Sequence, residues 1–154
     1  MRAEDARAFL EVHRAAIREI AVADYPADVI EAWAPLVTED DVGRLLANRD
    51  GEVRLVAEIE GQIVGLGAIV PANCELRACY VAPGAARQGV GTAIVRELER
   101  IAREHGLTVL ELDSSLTAEP LYRSLGYVSQ GRITHRLASG QPMASVKMRK
   151  ELSP

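Results

Sequence analysis

The chain has 154 residues, 48% of them apolar and 26% charged, which is an ordinary composition for one globular domain spanning residues 1–154. Its formal net charge of −4 excludes the basic surface that nucleic-acid binding needs. No apolar stretch reaches the roughly 18 residues of a membrane span, and the N-terminal residues lack a signal-peptide pattern. We therefore expect a cytoplasmic protein that binds neither nucleic acid nor membrane.

The two cysteines fit that expectation. Cys74 and Cys79 fall in one predicted strand. Five residues at ~3.3 Å each separate them by roughly 16 Å, which is too far for a disulfide. Free thiols are typical of a reducing compartment.

Helical patterns dominate the first third of the chain. Apolar residues recur at helical spacing from residue 4 to residue 21, which predicts a first helix. A second, short helix is predicted over residues 28–36, with prolines near both of its ends. Thr38 precedes three consecutive acids, and a hydroxyl cap followed by first-turn acids predicts a third helix over residues 38–48.

Strand patterns follow the turn at Asp50. Residues 53–59 alternate between apolar and polar side chains, as a half-buried strand does. A hairpin connection leads into residues 63–70, which are apolar throughout and therefore predict a strand buried on both faces. Gly65 and Gly67 within it indicate a bulge or a close backbone approach. The remaining predicted elements are a strand over 75–81, a helix over 90–105, a strand over 108–113, a helix over 117–125, and strands over 127–134 and 145–151.

Residues 85–93 form a glycine-containing loop between a predicted strand and an amphipathic helix. Gly89 and Gly91 let the backbone turn tightly and leave room for a ligand. The N-terminus of the helix offers unpaired N–H groups and the positive end of its dipole. Together these features predict an anion site, most naturally for a pyrophosphate.

Two nucleotide-binding interpretations of this loop are disfavoured. The dinucleotide fingerprint G-x-G-x-x-G needs a glycine at position 94, where this chain has Ile94, and it expects the loop after the first strand of a βαβ unit. The P-loop pattern is absent from the sequence. A nucleotide-binding α/β protein, with affinity for NAD or ATP, remains an alternative.

The chain resembles the GCN5-related N-acetyltransferase (GNAT) family over nearly its whole length. The first segment that supports this resemblance is Glu-Leu-Arg-Ala-Cys-Tyr-Val-Ala-Pro at 75–83, followed by Arg-Gln-Gly-Val-Gly-Thr-Ala at 87–93. Residues 115–127 are similar to the family signature N-x-x-A-x-x-x-Y-x-x-x-G-F, and residues 146–150 to its last strand. Two motifs in the right order are far more specific than either alone.

The sequence departs from the family pattern at three points. Ala86 stands where the family has glutamine or arginine, but phosphate is held mainly through backbone N–H groups, so we expect binding to survive. Ser115 replaces the usual asparagine with a shorter hydrogen-bonding group. Only Met1-Arg2-Ala3 precede the first helix. The resemblance therefore implies an α/β fold with a mixed, mostly antiparallel, V-shaped sheet flanked by helices, its first strand truncated or missing.

The resemblance implies acetyl transfer from acetyl-coenzyme A to a primary amine by direct attack. No metal-ligand spacing occurs in the sequence, so we expect no metal. The acceptor would be a small-molecule or peptide amine, and homodimers are common in the family. An acyl-coenzyme A-binding module that senses rather than catalyses is the alternative of a different class. The residues that the resemblance assigns to cofactor binding are Cys79, Tyr80, Val81, Arg87, Gln88, Gly89, Val90, Gly91, Thr92, Ala93, Ser115 and Tyr122.

The resemblance also implies catalytic roles. Tyr122 matches the family tyrosine that protonates the departing thiolate, although its pattern alone is typical of a core aromatic on an amphipathic helix. Glu75 matches the strand glutamate that some members use as the general base, and a solvated strand-end carboxylate is the equal alternative. Glu111 and Asp113 are lesser candidates, and many members use a chain of waters.

The acceptor contacts are expected from the first two helices and the final strands. Tyr25 and Trp33 are therefore candidate substrate-binding residues, and packing is the alternative for Trp33. The acids at 39–41 are candidates too, although the first turn of a helix accounts for them more simply.

The three histidines do not form a catalytic pattern. His13 falls on the apolar stripe of the first helix, which favours a structural role, and His105 falls at a helix C-terminus, where a cation is favourable. His135 borders the acceptor pocket in one interpretation and lies in a loop in the other.

Overall fold

The computed structural model describes residues 1–153 of the chain. Within these residues, six strands form one sheet in the order β1-β2-β3-β4-β6-β5. Neighbouring strands are antiparallel except for β3 and β4, which are parallel. The strands are β1 (Val53–Ile59), β2 (Gln62–Val70), β3 (Glu75–Val81), β4 (Val109–Ser115), β5 (Val128–Arg136) and β6 (Pro142–Glu151).

Helices cover both faces of the sheet. The fourth helix packs on one face, where Ile94, Val95 and Leu98 form a core with apolar residues of the central strands. The first helix covers the other face through Phe9 and Val12. The α-helices are α1 (Ala6–Glu19), α2 (Ala27–Trp33), α3 (Glu39–Ala47), α4 (Val90–Glu104) and α5 (Glu119–Ser124).

The two central strands separate along their length. β3 and β4 are paired only at Glu75 and Glu111, where the Glu111 N–H donates to the Cys74 carbonyl at 2.8 Å. Beyond this point the two strands diverge, and a cleft opens between their C-terminal halves. The expected V-shaped, mostly antiparallel sheet flanked by helices is therefore confirmed.

A β-bulge lies in β3 close to that single pairing. Ala68 pairs with Ala78 and Ile69 pairs with Leu76, so Arg77 is the extra residue. A bulge bends a strand and increases its local twist, and bulges are common beside active sites. The bend of β3 lies just where the strand leaves β4.

Most sequence-predicted elements are present, with shifted ends. The strands near 127–134 and 145–151 are longer than predicted. In their hairpin, His135 pairs with Met143 and Arg136 pairs with Pro142, which extends both strands. Ahead of α1, Ala3–Asp5 form a 3-10 turn, and no strand precedes this turn among the described residues. Cys74 was predicted inside the third strand, and this was wrong: it precedes β3 in a left-handed conformation with φ of 51°.

The acidic cluster at 39–41 is the first turn of α3. The Thr38 hydroxyl accepts a hydrogen bond from the Asp41 N–H at 3.2 Å, and the Asp41 carboxylate accepts from the Thr38 N–H at 2.8 Å. This reciprocal capping box satisfies two donors at the helix N-terminus. The helical interpretation of the acids is therefore confirmed.

Gly65 and Gly67 allow α4 to lie close against β2. A Cβ atom on Gly67 would lie 2.6 Å from Ile94 Cγ2 and 2.9 Å from Leu98 Cδ1, and one on Gly65 would lie 2.7 Å from Ile94 Cδ1. The predicted close approach is confirmed, and its partner is a helix.

We predict that Gly67→Ala destabilises the protein, because the added methyl group would overpack the interface between α4 and β2. The expected loss in the free energy of unfolding is about 1–3 kcal/mol, measured by urea denaturation. Gly43→Ala is the matched control: Gly43 is exposed in α3, no atom of the described residues lies near an added Cβ, and alanine favours helix. Equal stability of wild type and Gly67→Ala would contradict this account of the packing.

Candidate active site

The cleft between β3 and β4 is the main concave feature of the molecule. It has a volume of about 1240 Å³ and continues from the glycine loop, through the opening in the sheet, to α1 and the β5-β6 hairpin. Its extent suits an elongated ligand that passes from one face of the sheet to the other. Pockets of this kind are the usual location of a binding or active site.

The glycine loop lies at one end of the cleft. Arg87 and Gly89 both have left-handed backbones, with φ of 60° and 83°, and Gly89 immediately precedes α4. The first helical hydrogen bond runs from the Ala93 N–H to the Gly89 carbonyl at 3.0 Å. The N–H groups ahead of Ala93 therefore lie at the helix N-terminus without helical partners, which creates the expected anion-binding geometry.

Gly91 does not make the tight turn that the sequence predicted for it. Its backbone is helical, and a Cβ atom there would lie 3.2 Å from Leu121 Cδ2. The residue therefore provides close packing between the first turn of α4 and α5. The tight turn itself is made by Arg87 and Gly89.

One edge of β3 is open towards the cleft. On the opposite edge, the Ala82 N–H that follows β3 donates a hydrogen bond to the Val64 carbonyl of β2 at 2.7 Å. Because backbone groups alternate along a strand, those of Cys79 and Val81 point the other way, towards the gap left by β4. This edge can hydrogen-bond an extended ligand as an added strand would.

Tyr122 lies on α5 and lines the cleft. Its side chain is 5% exposed, and its ring packs edge-to-face on Tyr127 with 5.5 Å between centroids. Burial raises the pKa of the Tyr122 phenol well above its usual value, and the nearby Cys79 adds to the increase. The phenol is therefore protonated at any working pH and can act as a proton donor.

Cys79 is beside Tyr122 in the same wall. Burial raises the pKa of its thiol to about 12, and its Sγ lies 3.8 Å from the Gly91 carbonyl. A thiol in this state is a packing group rather than a nucleophile. Cys74 and Cys79 are both free, as expected.

Ser115 lines the cleft, but its hydroxyl has a local partner. Ser115 Oγ accepts a hydrogen bond from the Ala118 N–H at 3.1 Å, which stabilises the turn that leads into α5. The shorter side chain at this position thus supports the helix that carries Tyr122.

Glu75 lies in the cleft wall at the narrow end of the V. Both of its carboxylate oxygens accept hydrogen bonds from Arg77, at 3.1 and 2.8 Å. The Arg77 guanidinium also pairs with Glu52 at 3.0 Å and with Asp50. The Glu75 carboxylate is therefore held in an ion-pair network, with both of its oxygens occupied by Arg77.

A second polar group lies across the cleft on the other half of the sheet. His135 Nδ1 is 3.4 Å from Asp113 Oδ2, and Lys147 Nζ is 3.5 Å from Asp113 Oδ1 and 3.3 Å from Glu111 Oε2. His135 is in β5 and lines the cleft, so the pocket alternative for this residue agrees with the structure and the loop alternative does not.

Aromatic side chains form the wall on the α1 side. Tyr80 packs edge-on against His13 at 4.5 Å and against Trp33 at 6.3 Å between centroids. Trp33 lines the cleft together with Ile17 and Ile20 of the α1 region. This part of the cleft is apolar and can accommodate an apolar portion of a ligand.

The placement of Tyr25 in the pocket needs correction. Its buried hydroxyl donates to the Ala144 carbonyl at 2.6 Å and accepts from the Leu116 N–H at 2.8 Å. The residue does not line the cleft, and its ring lies behind Trp33 at 5.5 Å between centroids. Tyr25 thus connects β6 to the end of β4, and both bonds of its hydroxyl are made within the fold.

The cleft brings together most of the sequence-predicted site residues and adds others. Sequence reasoning missed Ala16, Ile17 and Ile20, because a stripe of apolar residues on a helix is equally typical of core. Those that line the cleft are Trp33, Glu75, Cys79, Tyr80, Val81, Arg87, Gly89, Gly91, Thr92, Ser115 and Tyr122, and those that do not are Tyr25, Gln88, Val90 and Ala93.

Comparisons with known proteins identify the family. Residues 14–127 match the Acetyltransferase (GNAT) family. No curated protein sequence matches the chain. A GCN5-related N-acetyltransferase from Rhodopseudomonas palustris is 29% identical, with a TM-score of 0.89 over 99% of this chain and 92% of that one.

Two further solved structures have the same fold. The ribosomal-protein-alanine N-acetyltransferase from Brucella melitensis is 26% identical, with a TM-score of 0.74 over 99% of this chain and 97% of that one. The phosphinothricin acetyltransferase from Sinorhizobium meliloti, solved with acetyl-coenzyme A, is 19% identical, with a TM-score of 0.75 over 99% and 86%.

The chain belongs to the GNAT acetyltransferase family, since the match covers well over half of its length, and it is an acyltransferase. The resemblance seen in the two sequence motifs is thereby confirmed. Among residues 1–153, no helix is both long and apolar enough to cross a membrane.

We predict a pH-dependent stability that originates at His13, which packs against Tyr80 behind the cleft wall. Burial lowers the pKa of His13 from 6.5 to about 4, so between these values the unfolded chain binds a proton that the folded chain does not. Stability is therefore lost as the pH falls from about 6.5 to about 4, by roughly 2 kcal/mol for this partly accessible ring.

The measurement is urea denaturation across that pH range. His13→Gln removes the titration and should flatten the decline relative to wild type. His105→Gln, at the exposed C-terminal end of α4, should leave the decline unchanged. Parallel declines for wild type and His13→Gln would contradict the prediction.

Proposed function

We propose that this protein transfers an acetyl group from acetyl-coenzyme A to a primary amine by direct attack of the amine on the thioester. The observation that supports this most strongly is the arrangement of the cleft. A helix N-terminus lies at one end, the open edge of β3 borders the cleft, and a buried phenol lies in its wall.

The glycine loop fits the pyrophosphate of the cofactor. The residues proposed to hold it are 87–93, through backbone N–H groups at the N-terminus of α4. Arg87 is exposed at the cleft and adds a cation beside these N–H groups. The binding mode needs little from side chains, so Ala86 is compatible with it.

The open edge of β3 fits the pantetheine arm. This arm contains amide groups that can hydrogen-bond the backbone of Cys79 and Val81 in the manner of an added strand. An N–H on the same edge is suited to polarise the thioester carbonyl, because it points into the gap before any ligand binds.

Tyr122 is the proposed general acid. The leaving thiolate of coenzyme A needs a proton, and the phenol of Tyr122 retains its own because burial raises its pKa. The same burial would raise the pKa of the coenzyme A thiol, so the leaving thiolate accepts a proton more readily there than in water.

The acceptor is proposed to enter from the α1 side. Trp33, Ile20 and Tyr80 provide apolar surface, and the polar groups of β3 and β4 lie opposite. The similar solved structures include enzymes named for ribosomal-protein alanine and for aminoglycosides, so the family fold accepts amines of very different size. A small-molecule or peptide amine is therefore the proposed partner class.

A non-catalytic sensor of acyl-coenzyme A is the second candidate. It would need the loop and the strand edge, but no proton donor in the cleft. The buried position of the Tyr122 phenol in the cleft wall favours catalysis.

The first experiment compares thermal stability with acetyl-coenzyme A, coenzyme A, NAD and ATP. A ligand at 100 times its Kd adds about 2.7 kcal/mol, which raises Tm by several degrees. A rise with only the two coenzyme A compounds supports the cofactor, and a rise with only NAD or ATP contradicts it. Thiol release from acetyl-coenzyme A is then measured with a panel of amines: phenylethylamine, spermidine, glycine and an alanine-initiated peptide.

We predict that Tyr122→Phe lowers kcat for the best amine of this panel by about 10²–10⁴-fold, because the thiolate loses its proton donor. Affinity for acetyl-coenzyme A should be unchanged in a binding titration. Tyr127→Phe is the matched control, since the Tyr127 hydroxyl is buried outside the cleft. Full activity of Tyr122→Phe would contradict the role of the phenol.

We predict that Arg87→Ala weakens the binding of acetyl-coenzyme A by about 10-fold, because an exposed cation beside the phosphates is lost. The difference from wild type should shrink as salt is added. Arg96→Ala removes an exposed arginine of α4 that does not line the cleft and should bind as wild type does. Equal affinities for wild type and Arg87→Ala would show that backbone groups suffice.

A further inference from the structure

Four ionisable side chains meet on one face of the sheet, where the cleft passes from β4 to the β5-β6 hairpin. Asp113 is in β4, His135 in β5 and Lys147 in β6, and Glu111 lies two residues before Asp113. Asp113 pairs with Lys147 across the strands, and both Asp113 and His135 line the cleft. The pairing of three strands thus brings together residues that are far apart in the sequence.

The hydrogen-bonding pattern orients His135. Its Nδ1 faces Asp113 Oδ2 at 3.4 Å, so the carboxylate favours the tautomer that carries hydrogen on Nδ1. Nε2 is then the unprotonated nitrogen, with a lone pair available to accept a proton. The Asp113 carboxylate is itself positioned by Lys147, whose Nζ also contacts Glu111.

Glu75, the alternative base, is less suited. Both of its oxygens are engaged by Arg77, as described above, and proton uptake would disrupt that pair. In His135, by contrast, it is Nδ1 that faces a carboxylate, that of Asp113 at 3.4 Å. The two groups line the same cleft, so geometry and charge together favour His135.

We propose that His135 is the general base for the acceptor amine and that Asp113 is its positioning residue. This inference rests on the proposed function. His135 Nε2 takes one proton from the acceptor ammonium, and the freed nitrogen lone pair forms the C–N bond at the thioester carbonyl.

Tyr122 provides the proton that the leaving sulfur needs. The C–S bond breaks, sulfur keeps the electron pair, and the Tyr122 phenol protonates it. The nitrogen loses its second proton as the amide forms, and that proton restores the phenol through solvent. His135 returns the first proton to solvent, so one ammonium and one thioester give one amide, one thiol and one free proton.

The test uses acceptors that differ in their need for a base. The alkylamines of the panel are ammonium ions at neutral pH and must lose a proton before they attack, whereas hydroxylamine is mostly neutral there and attacks without help. We expect His135→Gln to lower kcat for the fastest alkylamine by about 10²–10⁴-fold and that for hydroxylamine by less than about threefold. Thiol release above the uncatalysed background is measured for both acceptors.

Asp113→Asn tests the positioning role. Asparagine retains the size of the side chain but loses the charge that orients His135, so we expect the alkylamine rate to fall by about 10-fold and the hydroxylamine rate to hold. His105→Gln, a histidine substitution outside the cleft, is the control and should match wild type with both acceptors.

The outcomes distinguish a failure of the His135 assignment from a failure of the proposed acetyl transfer. Equal losses with both acceptors in His135→Gln, or no loss with either, would overturn the assignment of His135 while leaving acetyl transfer intact. If the wild-type protein releases thiol with none of the acceptors, the proposed function is contradicted, and so is the role of His135 as general base. A selective loss with alkylamines supports both.

Discussion

The divergence of β3 from β4 is the constraint on which the rest of the molecule depends. A sheet normally continues its hydrogen-bonded ladder from strand to strand, but these two strands are paired only at Glu75 and Glu111. The bulge at Arg77 bends β3 at that position. Backbone groups that would have paired with β4 are thus available to a ligand, and the opening connects the two faces of the sheet.

The cost of an open sheet is offset by what packs around it. Without Cβ atoms at Gly65 and Gly67, α4 lies close against β2, and its apolar face forms the main core. On the opposite side, Tyr25 connects the Leu116 N–H to the Ala144 carbonyl and so holds the far side of the cleft. The cleft is therefore a gap between two well-packed halves.

Burial in this gap gives its ionisable groups distinct properties. Tyr122 and Cys79 have raised pKa values because their charged forms would be poorly solvated, so both stay neutral. His135 and Asp113, on β5 and β4, are instead partly exposed to solvent. In the proposed reaction, the buried phenol of Tyr122 donates a proton, and His135, positioned by Asp113, accepts one.

Local patterns in the sequence determined the elements and the loop. The capping residue Thr38, the periodicity of α4 and the left-handed turn at Gly89 depend on neighbouring residues alone, and each can be recognised in a short window. The two motifs that indicated the family, around Gly89 and Tyr122, are also continuous segments. Only tertiary structure decided that Tyr25 lies behind the pocket and that His135 meets Asp113. Both outcomes depend on strand order, with β6 inserted between β4 and β5, and long-range pairing of this kind leaves no signal in the residues nearby.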